Sequence, residues 1–399
     1  MIIIENQAKW ISSKCQQCGA CRSVCPQLAI SYVGCKDGIT DVRIDDFKCI
    51  GCKKCYKVCP ANRTLTKTTY VPSLSVKKYA LAYNENSDIR HDSSSGGVCK
   101  TLIIESLKNA LVDGVYSLRK LDQYPSAIGE FYTIDNIPSF DDIPNSVYHS
   151  IMACTEIEKV HKVKRLMLVG TSCQLYALET ALKGKYEELI KVCIFCKQQK
   201  TLGSTKFLSK LLGTSVTEPY SFKSQYRGTG WPGVVRINDK SIAWEKAAGL
   251  PFGRRLWCVP GCDICGDPFG IEVGADVTLM DPWSIRSQND LGETLVTIHT
   301  ESGEQFLKSI PNLVVESKSY EEVRPALGEG DIWRKRALVP YFKGEEVPAI
   351  IKAAGDAEVK QRRYLKRIRE QTPHMPFIFY QVLNKKKKKK RDKILKEKI

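Results

Sequence analysis

The chain has 399 residues, of which 43% are hydrophobic and 26% charged, a composition typical of a soluble globular protein of two or three domains. Its formal net charge of +17 points at first to a nucleic-acid binder, but Lys360–Ile399 holds 16 Lys/Arg against three acidic residues, a net +13. The remaining 359 residues carry only +4. Because we find no basic stripe interleaved with aromatic residues outside this tail, the sequence argues against nucleic-acid binding.

The chain contains 17 cysteines, which in a short secreted protein would indicate disulfides. Here Glu5 directly follows the apolar Met1–Ile4, so no signal-peptide core forms. No run approaches the roughly 18 apolar residues of a membrane span. We therefore expect a cytoplasmic protein whose cysteines bind metal.

Near its N-terminus the chain carries the pattern C-x2-C-x2-C-x3-C-P twice. The two runs are Cys15, Cys18, Cys21 and Cys25 before Pro26, and Cys49, Cys52, Cys55 and Cys59 before Pro60. In such a run three thiolates bind one 4Fe–4S cluster, and the fourth cysteine ligates the neighbouring cluster. The spacing therefore predicts one cluster on Cys15, Cys18, Cys21 and Cys59, and a second on Cys49, Cys52, Cys55 and Cys25.

A pair of zinc ribbons or a disulfide framework is the alternative explanation of these runs. Zinc sites use two pairs of ligands, whereas each run here has four cysteines, so we prefer the clusters. We predict an α+β ferredoxin-like module over residues 1–66, with short strands around each cluster loop. Cys35 lies between the runs, has no counterpart in the repeat, and is expected to be a buried or spare thiol.

After a polar linker over residues 63–73, strands and helices alternate. Helical spacing of apolar residues follows Ser93–Gly97, at Val98 and onward to Leu111. Alternating strands and helices predict an α/β domain with a mostly parallel sheet. The predicted strands are Tyr79–Tyr83, Val115–Leu118, Lys164–Gly170, Leu189–Phe195, Val234–Ile237, Asp276–Met280 and Leu295–His299.

A second set of cysteines lies in this α/β region. Its members are Cys173, Cys193, Cys196, Cys258, Cys262 and Cys265. Cys173 and Cys196 follow predicted strands, where open α/β sheets place their ligands, and Cys262 and Cys265 are a pair at ligand spacing. Four of the six could bind a third 4Fe–4S cluster; zinc or inert buried thiols are the alternatives.

The spacing C-x3-C-x2-C of Cys258, Cys262 and Cys265 also occurs in radical enzymes that bind S-adenosylmethionine on an open iron. In those enzymes the loop normally precedes a barrel of strand–helix units, and only 134 residues remain here. The residue before the last cysteine is usually aromatic, whereas this chain has Ile264. We therefore regard the radical enzyme as the weaker hypothesis.

Two loops have the composition of cofactor-binding loops. Ser93–Gly97 precedes a helix, where glycine and free N–H groups suit a phosphate, although serine and glycine also cap helices without binding a ligand. Arg227–Gly233 combines a cation, flexible backbone and the Trp231 indole, which suits the pyrophosphate or ring of a flavin; a turn in which Trp231 covers the core is the alternative.

We predict a helical, lysine-rich tail over residues 345–399. It ends in the run Lys385–Lys390 and Arg391. Like-charge runs are usually solvated, although weak contact with acidic lipid would also suit this composition.

In combination these motifs resemble the beta-subunit family of coenzyme F420 hydrogenases and dehydrogenases, fused to a two-cluster ferredoxin module. The resemblance covers roughly residues 76–320 and predicts an N-terminal-like region at 76–160 and a C-terminal-like region at 161–330. It rests on Ser93–Val98, Val169–Gln174, Phe195–Cys196, Tyr226–Gly233, Cys262–Cys265 and Ala275–Val277. Where the family often has Gly-Asp-Phe-Trp, this chain has Met280-Asp281-Pro282-Trp283.

The resemblance implies an oxidoreductase with a third cluster and FAD. Electrons would pass from a ferredoxin-type donor through three 4Fe–4S clusters to FAD and on to a two-electron organic acceptor, either an F420-like deazaflavin or another small molecule, for example in surface-polysaccharide synthesis. An electron-transfer subunit without a substrate site of its own is the alternative. The implied ligands of the third cluster are Cys173, Cys196, Cys262 and Cys265, with Cys193 and Cys258 as second choices. The implied FAD contacts are Ser94, Ser95, Gly96, Gly97, Arg227, Gly228, Gly230 and Trp231.

Overall fold

The computed structural model describes residues 14–34, 39–65, 76–216, 221–248, 255–285, 287 and 289–371. Three features predicted from the sequence lie wholly or mainly outside these ranges. They are Cys35, the linker that continues to residue 73, and the lysine run of the tail.

The N-terminal module has a short helix in each cysteine run and a hairpin between the runs. Helices α1 (Ala20–Ser23) and α2 (Lys54–Val58) lie within the first and second runs. Strands β1 (Ile30–Gly34) and β2 (Thr40–Ile44) pair antiparallel between them. The short strands expected from the sequence are therefore present in the described part of the module.

One eight-stranded sheet forms the centre of the protein. Its strands are β3 (Lys78–Asn84), β4 (Gly114–Lys120), β5 (Ala127–Thr133), β6 (Arg165–Gly170), β7 (Glu188–Ile194), β11 (Val277–Met280), β12 (Thr294–Ile298) and β13 (Leu313–Lys318). The spatial order is β13-β3-β12-β11-β7-β6-β4-β5. The sheet takes strands from both predicted regions, 76–160 and 161–330.

The sheet is parallel at its centre and antiparallel on both flanks. β4, β6, β7 and β11 pair in parallel, whereas β5, β12, β3 and β13 are added antiparallel. The parallel strands read as apolar runs, and Leu166–Leu168 of β6 are fully buried, as expected for strands covered on both faces. The predicted parallel sheet is thus found in the four central strands, and the antiparallel flanks make the sheet mixed.

Helices cover the sheet and connect its strands. Helix α4 (Val98–Lys108) begins directly after Gly97 and buries nearly its whole length. Helix α5 (Ser172–Leu182) begins at the end of β6, with Thr171 and Gln174 forming a reciprocal N-terminal cap. The cap fixes the point at which the chain turns from strand to helix. The remaining helices in this part are α3 (Ser87–Asp92) and α8 (Glu301–Ser309).

A separate three-stranded sheet carries the Arg227–Gly233 loop. Strands β8 (Ser224–Tyr226), β9 (Val234–Ile237) and β10 (Lys240–Ala243) pair antiparallel, and the loop connects the first two. This sheet packs with helices α6 (Leu202–Leu211) and α7 (Trp244–Ala248) in its own apolar cluster.

The chain continues in four further helices. They are α9 (Tyr320–Leu327), α10 (Glu329–Ala337), α11 (Val339–Lys343) and α12 (Ala349–Gln371). The helical character predicted from residue 345 is found in α12, and Leu365 of α12 is buried in the cluster around the three-stranded sheet. Within the described ranges, every helix is too short or too polar to cross a membrane.

Candidate metal centres and cofactor site

Four cysteines of the N-terminal module line a cavity of about 50 Å³ that we call the outer site. They are Cys25, Cys49, Cys52 and Cys55. Three belong to the second run and one to the first, so the fold brings together the set that the spacing predicts for one cluster. The Ala29 N–H donates a hydrogen bond to Cys25 Sγ over 3.3 Å, the kind of contact that tunes iron–sulfur clusters.

A second cavity, of about 20 Å³, is the inner site. Its cysteine lining includes Cys15, Cys18, Cys21 and Cys59, the complementary predicted set, with Cys55 at its margin. Burial raises the pKa of the Cys21 thiol to about 12 and that of Cys59 to about 11, so protonated thiols are favoured here without a cation. Metal binding requires the thiolates and supplies the compensating positive charge, so these buried donors fit an iron–sulfur cluster.

The six cysteines of the second set lie near one another around the carboxyl ends of β6 and β7, with Cys193 inside β7, in what we call the third site. Burial, followed by repulsion from Cys173 and Cys265, raises the pKa of Cys196 to about 12. Cys262 lies beside Cys258 and Cys196, and its Sγ accepts a hydrogen bond of 3.2 Å from the Gln199 N–H. All four thiols that the resemblance implies as ligands therefore share one neighbourhood.

The two second-choice ligands lie at the margins of the third site. Cys193 is fully buried within β7 and packs against the Gly270 backbone, where an added Cβ would lie 2.7 Å from the sulfur. The Cys258 Sγ donates to Gln198 Oε1 over 2.9 Å. Both thiols thus have local protein contacts that would compete with metal ligation.

The arrangement of the thiols can be compared with that of a zinc site, the alternative to a cluster at the third site. Within the described ranges, no three His, Cys, Asp or Glu side chains converge as the ligands of a single metal ion. Thiolates around a four-iron cluster stand further apart than around one ion, because each binds a different iron. Zinc stays the alternative to a cluster at the third site.

The loop with radical-enzyme spacing packs against the N-terminal module. The Gly261 N–H donates to the Cys15 carbonyl over 3.1 Å, and an added Cβ at Gly261 would lie 2.4 Å from the Lys14 carbonyl. The sheet that holds this region is open, with β13 and β5 at its edges. Neither feature resembles the barrel entrance expected of a radical enzyme.

Cys154 lies between the inner site and the third site, and sequence spacing gave no signal for it. Its N–H donates to the Cys18 carbonyl over 2.8 Å, and its Sγ lies 4.0 Å from the Gln174 carbonyl of α5. Its electrostatic neighbours include Cys21 and Cys173. The module is therefore docked so that the inner site faces the third site across one buried residue.

Two buried cations flank the third site. Arg63 Nη1 lies 3.5 Å from Asp267 Oδ2 and donates to Ser172 Oγ over 2.9 Å. Lys335 Nζ donates to the Lys197 carbonyl over 2.6 Å, and its charge acts on Cys173 and the neighbouring thiols. Positive charge here stabilises thiolates and, when a cluster is bound, its more negative reduced state.

The two predicted flavin loops meet around Asp281. Ser95 Oγ and Arg227 Nη2 both donate hydrogen bonds to the Asp281 carboxylate. Asp281 had appeared in the sequence only as part of a departure from the family pattern, so its role in joining the loops was missed. The fold thus brings Ser94–Gly97 and Arg227–Trp231 together as expected for one site.

Most polar groups of this site are engaged by the protein itself. Arg227 is 1% exposed, and Ser94 Oγ lies 2.9 Å from Ser146 Oγ. A Cβ at Gly96 would lie 2.9 Å from the Gly292 carbonyl, and one at Gly228 would lie 2.6 Å from Asn145 Nδ2. Arg227 and these glycines therefore fit a pyrophosphate poorly in this conformation.

Two indole rings pack together at the same site, and one of them faces solvent. The ring centroids of Trp231 and Trp283 are 4.7 Å apart, and Trp283 is 41% exposed while Trp231 is buried. The Gly230 N–H donates to the His91 carbonyl over 2.8 Å and fixes the loop. The exposed indole offers a surface to a planar ring, whereas the buried loop behind it is part of the core.

Comparison with known families identifies two parts of the chain. The family model for the C terminus of the coenzyme F420 hydrogenase/dehydrogenase beta subunit matches residues 163–323. Two models for a 4Fe-4S dicluster domain match residues 14–63 and 41–96. The chain carries a domain of this beta-subunit family behind an iron–sulfur dicluster module. The resemblance inferred from the motifs is therefore confirmed for residues 163–323, which we call the beta-subunit domain, and for the dicluster module.

Relatives of the beta-subunit domain include an archaeal protein and one chain of a solved complex. An uncharacterized protein of Methanocaldococcus jannaschii is 21% identical in an alignment of 338 positions, which covers 75% of this chain and 87% of that protein. A chain of the xenon-derivatized F420-reducing NiFe hydrogenase complex from Methanosarcina barkeri matches with 17% identity and a TM-score of 0.47. That match covers 66% of this chain and 89% of the other.

Proposed function

We propose that this protein is an iron–sulfur oxidoreductase that passes electrons through three 4Fe–4S clusters to FAD and a two-electron organic acceptor. The outer site would hold one cluster on Cys25, Cys49, Cys52 and Cys55. The other two sets are Cys15, Cys18, Cys21 and Cys59 at the inner site, and Cys173, Cys196, Cys262 and Cys265 at the third site. Bound clusters supply one-electron redox chemistry, and the protein positions and tunes them.

One observation carries this proposal: the three groups of thiols are arranged in series. Cys52 of the outer site is exposed, whereas Cys18 of the inner site is buried against the beta-subunit domain. Cys154 then connects Cys18 to the neighbourhood of Cys173 by a backbone hydrogen bond and close packing. Such an order gives an electron an entrance at the surface and an exit inside the beta-subunit domain.

The chain's own residues would set the properties of each centre. Cys18 is buried and Cys21 is half-buried, which limits the access of water to the inner site. The Gln17 N–H donates a hydrogen bond to the Cys15 sulfur, and such bonds stabilise negative charge. Arg63 and Lys335 add positive charge beside the third site, which favours its reduced state.

FAD as the terminal cofactor is supported by the convergence of the two predicted loops on Asp281 and by the exposed Trp283 face. Binding there would require the Arg227–Asp281 pair to open, or the flavin ring to lie on the indole surface. The same pair favours a second candidate function. If Arg227 stays paired, the chain is an electron-transfer subunit without its own substrate site, which docks on a larger reductase or hydrogenase.

The first test is the cofactor content of anaerobically purified protein. We expect about twelve irons and about twelve sulfides per chain, without zinc. One FAD per chain supports the flavoenzyme, whereas full iron without FAD after reconstitution supports the carrier role. About eight irons, with or without zinc, would contradict the third cluster.

Paired cysteine variants test the third site itself. Cys173→Ala should lose about four irons per chain, because a cluster ligand is removed. Cys193→Ala, which also removes a buried thiol from the same neighbourhood, should keep them. Equal iron loss in both variants would mean that the ligand set is wrong.

A further inference from the structure

The outer site is surrounded by exposed apolar side chains. Five of the eight exposed large hydrophobic residues in the described part of the chain lie between residues 28 and 56. Phe47 is fully exposed, Leu28 is 76% exposed, and Ile50 is 64% exposed. Tyr56 of α2 is 48% exposed. Such a concentration of apolar surface on a small module is typical of an interaction site.

Positive charge lies on the same surface. Lys53, Lys54 and Lys57 are exposed at the start and along the length of α2, immediately after Cys52. Lys48 precedes Cys49, and its Nζ lies 3.6 Å from Asp45 Oδ2. A partner that covers the apolar residues must therefore present negative charge around its own contact patch.

The position of the thiols shows why a redox partner would use this face. Cys52 is the one exposed cysteine among the sixteen that the structure describes. The corresponding inner loop, Gln16–Ala20, is buried, and its Cys18 and Gly19 contact residues 152–155. Electron transfer between proteins requires close approach of the two centres. Within the described ranges the outer site, which has the exposed Cys52, is more accessible than the inner site, which has the buried Cys18.

We propose that this face, which we call the outer face, docks a small acidic protein that carries one electron on an iron–sulfur cluster. The outer face comprises Leu28, Phe47, Ile50, Cys52, Lys53, Lys54, Tyr56 and Lys57. The inference rests on the proposed function, because the outer site must hold a cluster. One electron leaves the reduced carrier and enters the cluster of the outer site; no bond forms or breaks, and no proton is transferred.

The composition of the outer face fits a transient complex. A small apolar centre with a rim of lysines gives fast, salt-dependent association and rapid release, as in redox encounters that bury less than about 1,200 Å². A permanent partner would need a larger apolar area. The carrier therefore binds, transfers its electron and leaves.

The experiment is stopped-flow mixing of the anaerobic, cluster-loaded full chain with a reduced acidic bacterial two-cluster ferredoxin. We expect the second-order rate constant for oxidation of the ferredoxin to fall steeply as ionic strength rises. The triple charge reversal Lys53→Glu, Lys54→Glu and Lys57→Glu should lower it about tenfold or more at low salt and flatten the salt dependence. Iron content per chain checks that the variant has folded and kept its clusters.

A matched control reverses the charge of three exposed lysines on the separate three-stranded sheet and its adjoining segments. The control variant carries Lys223→Glu, Lys240→Glu and Lys246→Glu. It has the same change in net charge, so a general effect of charge would slow both variants equally. Docking at the outer face predicts that the control keeps a rate close to that of the wild type.

The possible failures are distinguishable. If reduced methyl viologen reduces the clusters but ferredoxin does not, or if both triple variants react like the wild type, the docking proposal is wrong and the proposed function stands. If neither reductant reduces the protein, the proposed function fails as well. Binding to phosphatidylserine vesicles that is lost in the outer-face variant, with unchanged ferredoxin kinetics, would assign the surface to a membrane and overturn the proposal.

Discussion

Arg63 of the iron–sulfur module and Asp267 of the beta-subunit domain form a buried ion pair, with Nη1 and Oδ2 3.5 Å apart. Their side chains are 7% and 0% exposed. Ser172 completes the contact, because its hydroxyl accepts from Arg63 and donates to Asp267 over 2.7 Å. This pair joins the two parts of the chain at the residue next to Cys173, so docking of the module and formation of the third site depend on the same contact.

Loss of one partner should destabilise this junction. In Asp267→Ala the guanidinium of Arg63 is left buried without its carboxylate, and we expect a loss of about 3–5 kcal/mol in anaerobic urea unfolding. The matched control is Glu301→Ala, which breaks the exposed pair with Lys77 and should change stability by less than about 1 kcal/mol. Equal effects in the two variants would contradict a structural role for the buried pair.

Cross-ligation in the module can be tested by comparing EPR signals among variants. Cys25→Ala should lose the same cluster signal as Cys52→Ala, although the two residues belong to different runs, because both line the outer site. Cys59→Ala should likewise lose the signal that Cys18→Ala loses. Cys99→Ala, a half-buried thiol of α4, is the control and should keep every signal. If variants of the same cysteine run, rather than of the same site, lost the same EPR signal, the assignment would be wrong.

Lys335 should raise the reduction potential of the third centre. Replacement by Met removes a buried positive charge that acts on Cys173, Cys196 and Cys262, so the reduced cluster loses stabilisation. We expect the potential to fall by ~50 mV in an EPR-monitored redox titration. Lys108→Met, on an exposed part of α4, should leave it unchanged. An unaltered potential in the Lys335 variant would place its charge too far from the centre to matter.

His149 should make the protein less stable in acid. Burial lowers its pKa to about 4, while its Nε2 lies 2.9 Å from the Pro125 carbonyl. As pH falls below the ordinary value of about 6.5, the unfolded chain takes up a proton that the folded protein refuses, so stability falls until about pH 4. The difference at pH 5 is about 2 kcal/mol.

Urea unfolding at pH 7 and pH 5 measures this effect. His149→Phe should have a smaller loss of stability between the two pH values than the wild type. His161→Phe, which removes an exposed histidine, should retain the wild-type loss. Identical losses in the wild type and in His149→Phe would show that other groups determine the acid sensitivity.

Short sequence patterns were sufficient to predict the strands and helices whose bounds depend on neighbouring residues. The predicted strand Val234–Ile237 has the observed bounds, and the predicted helix after Gly97 begins at Val98. The edge strands β5 and β13 were missed because neither has the long apolar run that marks a buried parallel strand. The direction of the flanking strands depends on long-range pairing, which short-range patterns do not encode.

The residues of the candidate sites also fall into those that local spacing predicts and those that depend on long-range packing. Spacing alone grouped the eight cysteines of the module into the two sets that line its cavities, because the repeated pattern implies three ligands from one run and the fourth from the other. Cys154, Asp281 and Lys335 were missed, since each acts on a segment far away in the chain and has no motif of its own. Their importance follows only from packing. The ligand set of the third site and the FAD contacts stay predictions.

The serial path is tested most directly by removing the inner cluster and timing reduction of the third. In the double variant Cys15→Ala and Cys21→Ala, freeze-quench EPR after mixing with reduced ferredoxin should show the outer cluster reduced at the wild-type rate. Reduction of the third cluster should slow by at least about a hundredfold, equivalent to ~3 kcal/mol in activation free energy. Reduction of the third cluster at the wild-type rate would contradict the account, because electrons would then reach it without crossing the inner site.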